Sequence, residues 1–392
     1  MIGMNLGNMY MHIIGNNTSA MAALKGVEAQ MLLTTNRVVA LGRKMTLGLT
    51  LPLAAIGLAA TKAFADFDDA MTRSTSIMVG LSADMRKSME DLAISLSKQG
   101  VKSATDLAES YFFLASAGLT AEQSLAALPG VLSFATAGAF DMATATDLLT
   151  DAQSALGMKT EDAQQNMLNM VKISDILVKG NVLANASVQQ FSESLTTQAG
   201  PAMKAYRVQL EQGVSVLLAY ADQGLKAGQS GVMFSRLLRL MSDSFDRNKE
   251  AWDALGITLY DQEGRWRDFS DIFGELSAHF DSIAVEDFTA GLKELGFQAK
   301  TAQVILPLLG TQDAMKKYAE MLAEAGGITE RVAKYQMTSL TSALKVMWHN
   351  ITAVGISIGR HLRGPVETLS DGIIMLTRAW ESLSDQAQAS IV

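Results

Sequence analysis

The sequence predicts an all-α protein. An array of short antiparallel helices is expected over about residues 65–250, one small β-hairpin near 257–267, then long helices toward the C-terminus. Three observations carry this expectation. First, only 5 of the 392 residues are proline, aromatics make up 6%, and 23 residues are methionine; β-branched residues do not alternate with polar ones. Second, Gly100, Gly118, Gly138, Gly157, Gly180, Gly200 and Gly224 punctuate the middle of the chain at intervals of 18 to 24 residues. Third, the segments between them have helical spacing. In LEQGVSVLLAYADQG, for example, Leu210, Val214, Leu217, Leu218 and Ala221 line one face.

The bulk properties narrow the function. With 48% of residues apolar the chain can bury a sizeable core, and its net charge of −8 argues against a nucleic-acid-binding surface as the main role; no direct sequence-specific nucleic-acid contact is expected. Lys and Arg never form a run of five. The absence of cysteine excludes disulfides, thiolate catalysis and Cys-ligated zinc.

Residues 1–64 form an expected N-terminal helical segment with an apolar stretch at 45–61. The opening MIGMNLGNMYMHIIGNNTSA has neither a basic n-region nor a continuous apolar h-region, so it is not a signal peptide. The N-x-S/T triplets at Asn16, Asn17, Asn185 and Asn350 read as chance matches. Met45 to Thr61 carry no charge and would span roughly 26 Å as a helix, against a hydrocarbon core of ~30 Å. Two readings stand: a buried apolar helix or oligomer contact, or a membrane-inserted segment flanked by Arg43, Lys44 and Lys62.

Residues 65–250 read as a helical core domain. Thr120-Ala-Glu-Gln123 and Ser187-Val-Gln-Gln190 have the form of capping boxes, and Ala199-Gly200-Pro201 is expected to break the chain. The segments share no sequence, which disfavours a solenoid. Residues 251–327 read as a hairpin plus helices, with Ile257, Leu259 and Trp266 flanking an Asp-Gln-Glu-Gly turn. Gly326-Gly327 marks a boundary. Residues 328–392 read as long C-terminal helices: one from Thr329 to Arg363, an interruption at Gly364-Pro365, and another from about Val366 to Ala389.

Gly355-Ile-Ser357-Ile-Gly359 has the form of a nucleophile elbow, and equally of a G-x-x-x-G helix contact. Leu344, Met347, Ile351, Val354 and Ile358 recur at three- and four-residue steps around it. The serine therefore lies on a helix, and the only downstream histidine, His361, is four residues away. Close helix packing at Gly355 and Gly359 is the expected role. His12, His279, His349 and His361 are isolated, and Asp261 to Gly264 lacks the ligand series of a calcium loop. No phosphate-binding glycine loop is present. Asp68-Asp69 and Glu90-Asp91 are expected to favour helix dipoles or to be solvated. No catalytic, cofactor-binding or metal-ligating residue is expected.

The wording of several segments adds more. FDDAMTRS (67–74), and the block at 106–158 with Leu114-Ala115, Ala117-Gly118 and Ala127-Leu128-Pro129, resemble the core of bacteriophage tail tape-measure proteins. DQGLKAGQSGVMFSRLLRLM (222–241), LGITLYDQEGRWRDFSDIFGEL (255–276), the stretch 339–373 and the apolar lead-in KMTLGLTLPLA are similar to further segments of that family. The resemblance covers about residues 40–375, with the segments in the family's order.

It implies a non-enzymatic virion protein, made in the host cytoplasm and held in several copies in the tail lumen. Tail tube protein would polymerise around it, and its length would set the tail's length. The implied partners are the tail tube protein, tail assembly chaperones, distal tail or baseplate proteins and further copies of the chain. During genome ejection a host inner membrane is implied. Members of the family are longer, and SDQAQASIV ends mid-pattern. A truncated gene, a fragment or a ruler continuing elsewhere is therefore expected.

Overall fold

The computed structural model describes residues 46–282, 288–298 and 302–381, with side chains from Ala59 onward except at 289, 369, 376, 379 and 380. Among them there is no β-strand, and the fold is all-helical, as expected from the sequence. The helices are α1 (Thr46–Ser76), α2 (Ala83–Ser97), α3 (Ala104–Ser116), α4 (Ala121–Ala137), α5 (Met142–Leu156), α6 (Ala163–Leu183), α7 (Val188–Ser194) and α8 (Gly200–Tyr206). Then come α9 (Leu210–Asp222), α10 (Gly228–Arg247), α11 (Lys249–Leu255), α12 (Phe269–Asp281), α13 (Phe288–Glu294), α14 (Gln312–Ala323), α15 (Ile328–Gln336) and α16 (Leu340–Glu381).

Local chemistry sets many of the boundaries. The side chains of Thr120 and Gln123, and of Ser187 and Gln190, close reciprocal capping boxes, as does the pair Ser103 and Asp106. Each satisfies two backbone N–H groups that the first turn leaves open. Gly157 stops α5 in the left-handed conformation, with φ 67°. The predicted face of α9 is buried: Leu210, Val214, Leu217, Leu218 and Ala221 all lie in the core.

Buried side chains from Phe67 to Ile356 form one contiguous apolar cluster. α3 packs against α1, α2 and α5; α4 packs against α6 and α15; α9 and α12 both pack against α14. Polar links also cross the core. The Tyr111 hydroxyl donates to the Met89 carbonyl at 3.1 Å, and the Tyr220 hydroxyl to the Val304 carbonyl at 2.5 Å. Burial pushes both phenols up from their ordinary pKa. The buried Asp175 carboxylate on α6 accepts from the backbone N–H of Gly327 at 2.7 Å and of Thr329 at 3.0 Å, capping α15 from across the fold.

Three expectations are corrected. The hairpin at 257–267 is not formed: Tyr260 and Trp266 make one isolated antiparallel bridge, without strands. The Asp261 carboxylate holds the turn by accepting from the N–H of Glu263 and Arg265, while Trp266 stacks on Phe269 and packs on Tyr260. The alternation that suggested strands serves this aromatic cluster instead.

The chain does not break at 199–201. α7 runs through a π turn, Leu195–Ala199, into α8, and Gly200 is helical at φ −60°, ψ −52°. Proline restricts its predecessor partly through a clash with that residue's Cβ, which glycine lacks. The wide turn already interrupts the regular ladder where Pro201 has no N–H to give.

The C-terminal region divides differently as well. The helix beginning near residue 329 ends at Gln336, and α16 then runs without interruption through Gly364-Pro365 to Glu381. Here too a glycine precedes the proline, and Pro365 is exposed, so water can reach the carbonyl it leaves unpaired. The expected end of this region near Ala389 lies outside the described residues.

No single helix among the described residues is long and apolar enough to cross a membrane. Met45 and the residues before it, His12 included, lie outside the described residues.

Candidate interaction surface

α16 is held to the body along one face only. Ala353 and Ile356 are buried there, and Gly355 and Gly359 admit α1 closely. A Cβ on Gly355 would stand 3.5 Å from the Ala60 Cα. One on Gly359 would stand 2.4 Å from the Phe64 Cβ and 2.6 Å from the Ala60 carbonyl oxygen. One turn further on, Arg363 Nη1 is 3.4 Å from Asp68 Oδ1, across 295 residues of chain. Gly355 with Ala60 and Gly359 with Phe64 keep that same offset. A constant offset means that α1 and α16 run parallel and in register. The C-terminal part of the apolar stretch at 45–61 thus serves a helix–helix contact.

A group of charges locks this pair to α2. Arg86 reaches Asp68 at 3.2 Å and Glu90 at 3.0 Å, and Arg360 reaches Glu90 at 3.1 Å. Hydrogen bonding to Glu367, reinforced by the nearby Asp68 carboxylate, raises the Arg363 pKa. The acidic pairs read from the sequence as solvated or dipole-favouring are thus split. Asp68 and Glu90 tie three helices together, while Asp69 pairs with Arg73 on its own helix and Asp91 pairs with Lys87 and stands 3.9 Å from Arg360. Arg86–Glu90, Arg73–Asp69, Lys87–Asp91 and Arg363–Glu367 are i,i+4 pairs within single helices, whereas the links of Arg86 and Arg363 to Asp68 and of Arg360 to Glu90 join different helices and follow from no spacing. Toward the start of α16, His349 Nδ1 meets the Gly100 carbonyl at 3.1 Å, and Asn350 Nδ2 donates to the Lys98 carbonyl at 2.9 Å.

The opposite face of α16 is bare. Leu340, Leu344, Met347, Ile351, Val354 and Ile358 form a stripe at alternating four- and three-residue steps, and each is 43–77% exposed. Trp348 beside them is 63% exposed. Isolated exposed leucines are ordinary, but a regular stripe of this kind has the spacing of a coiled-coil seam.

Gly355-Ile-Ser357-Ile-Gly359 is not arranged as a nucleophile elbow. Ser357 lies mid-helix, and His361 Nδ1 approaches its backbone carbonyl, at 2.8 Å, rather than its hydroxyl. His279 packs against Phe280 at the end of α12. No group of three or more His, Asp or Glu side chains among the described residues is placed to hold a metal ion. Asp261 spends its oxygens on its own turn, which lowers its pKa chiefly through the bond from the Arg265 N–H. An open cleft of about 540 Å³ lies between the α1–α2 loop and the α3–α4 turn; Glu122 is its one charged lining residue.

Comparison with known proteins places this architecture. Residues 90–296 match a family described as phage-related minor tail protein. The chain is also similar to the tape measure protein of Pneumococcus phage Dp-1, 22% identical over 352 residues. That match covers 90% of this chain and 30% of the relative, so the chain spans less than a third of the relative's length. No solved structure matches.

Proposed function

The chain belongs to the phage-related minor tail protein family, and from that premise we propose that it is a scaffold and length-determining component of a phage tail. The reading is non-enzymatic: a compact helical body anchors a long helix, and the helix supplies length. α16 is the observation that carries it. Its 42 residues extend about 63 Å at the α-helical rise, and its outward face is apolar at coiled-coil spacing. A helix advances by a fixed distance per residue, so a rod continuing from α16 would convert residue number into tail length.

In this reading the tail tube protein polymerises around several copies, assembly chaperones keep the apolar stripes from aggregating beforehand, and distal tail proteins receive one end. The name of the phage Dp-1 relative supports the same role. The test is to delete the gene from the phage that carries it. Capsids without tails, or tubes of uncontrolled length, are expected in electron micrographs. Normal tails would refute the proposal.

A further inference from the structure

We propose that the turn between α15 and α16 is a hinge that can rewind, joining the two into one continuous helix from Ile328 to Glu381 and carrying α16 off α1. The first support is how the turn is held. In a continuous helix the Ser339 N–H would bond to the Tyr335 carbonyl and the Leu340 N–H to the Gln336 carbonyl. Here side-chain hydroxyls take both carbonyls: Thr338 Oγ1 donates to Tyr335 at 2.8 Å and Ser342 Oγ to Gln336 at 3.0 Å. The Thr338 N–H also tightens onto the Tyr335 carbonyl, at 3.1 Å. Ser339 Oγ then caps the start of α16 by accepting from the Ser342 N–H at 3.1 Å. Hydroxyl bonds of this kind compete with the helical ladder for the same backbone groups.

The second support is that nothing else in the sequence breaks the helix there. No glycine or proline occurs from Ile328 to Val354. No residue in that span has a positive φ, and Met337 is right-handed helical at φ −75°, ψ −6°. Rewinding therefore requires no left-handed residue to flip. The apolar period also crosses the turn without a change of phase. Ala333 and Met337 precede Leu340, Leu344, Met347, Ile351, Val354 and Ile358 at the same alternating four- and three-residue steps.

The two helices are held unequally. Asp175 caps α15, Thr329 and Ala333 are buried, and Gln336 Nε2 donates to the Ala137 carbonyl at 2.9 Å. Among the described residues of α16, Ile356 alone enters the apolar core. Gly359 lies about 30 Å along α16 from the turn, and its contact with Phe64 leaves no slack. A change of direction at residue 339 therefore parts α16 from α1 while α15 stays in place. The inference concerns the chain alone, and its failure would leave the tail reading intact.

The chain has no cysteine, so the full-length protein can be spin-labelled at Lys62→Cys and Ser357→Cys. Both positions are exposed, and the 295-residue offset sets them side by side. The otherwise unchanged chain should give one short distance. Gly359→Leu opens the seam and leaves the turn to decide the direction of α16. In that background Thr338→Ala, Ser339→Ala and Ser342→Ala remove the hydroxyls and supply the best helix former. The expected result is a shift to a longer distance, with slowed hydrogen exchange at the amides of residues 339 and 340. Ser339→Gly in the same background is the control, since glycine caps nearly as well as serine but disfavours a helix interior. It should leave those amides fast. Circular dichroism melting checks that each variant folds; should Gly359→Leu unfold the body, the three alanine changes are read without it by the same two signals. Fast exchange at 339 and 340 in the folded alanine variant would overturn the proposal. Slow exchange with the distance unchanged would overturn it too, because the helix would then have closed without moving α16. Equally slow exchange in the glycine control would show that the hydroxyls do not hold the break, with the same consequence.

Discussion

Gly359 lies against Phe64 so closely that even a methyl group between them would stand 2.4 Å from the Phe64 Cβ. This contact fixes the register of α1 and α16. Gly359→Leu forces the two helices apart, and overpacking of this kind costs about 1–3 kcal/mol. Gly372 sits further along α16 with open space around it. Gly372→Ala is expected to stabilise the helix by about 0.5–1 kcal/mol through its better helix propensity. Thermal unfolding of the two variants should therefore shift in opposite directions.

The Asp175 carboxylate holds the start of α15 through the N–H groups of Gly327 and Thr329. Asp175→Ala removes both acceptors and leaves the Thr329 N–H unpaired in a buried place, at a cost of about 1–3 kcal/mol. Hydrogen exchange should show faster exchange at residues 327–331 than in α9, whose core contacts are untouched. Equal protection in both regions would contradict this role.

Asp141 caps α5 by accepting from the Thr144 N–H at 2.8 Å and hydroxyl at 2.7 Å, and the backbone bond from Thr144 is the main cause of its lowered pKa. A carboxyl whose pKa is lowered on folding stabilises the folded state above its unfolded value. That stability is lost as pH falls through the lowered value. Asn caps helices about as well as Asp but does not titrate. Asp141→Asn should therefore change stability little at pH 7 and weaken the loss of stability below about pH 4. Melting curves over pH 2–7 check this.

Glu90 accepts from both Arg86 and Arg360 and is mostly buried, its side chain 18% exposed. Glu90→Gln is expected to cost about 1 kcal/mol, and a double-mutant cycle with Arg360→Ala should give a coupling of about 0.5–1 kcal/mol. Salt at about 1 M shortens the screening length to about 3 Å and should shrink that coupling. A coupling near zero at low salt would show that the pair contributes no attachment.

The sequence made local features legible and tertiary ones not. The capping boxes at Thr120 and Ser187 depend on residues three apart, and the buried face of α9 depends on one helix's own period; both could be read directly. The helical setting of Ser357 followed from the spacing around it. The Asp175 cap spans about 150 residues, and no pattern in either segment announces it. The same holds for the links from Asp68 to Arg86 and from Glu90 to Arg360.

The misreadings also have physical causes. Both Gly-Pro pairs were taken as breaks, yet glycine removes part of the clash that makes proline's predecessor leave the helix. At 257–267 the alternation of large apolar residues reflected an aromatic cluster around a tight turn, which the period alone cannot distinguish from paired strands. The exposed stripe of α16 was visible as a helical face, but its bareness became clear only once the opposite face was seen against α1.

The central claim is that helical length in this protein sets tail length. An insertion of eight heptads, 56 residues, after Glu381 keeps the phase of the stripe and adds about 84 Å of helix. Electron microscopy of virions carrying this insertion should show tails longer by about 84 Å, within the spacing of one ring of tube subunits. Tails of unchanged length, assembled with the lengthened protein present in the virion, would contradict the account.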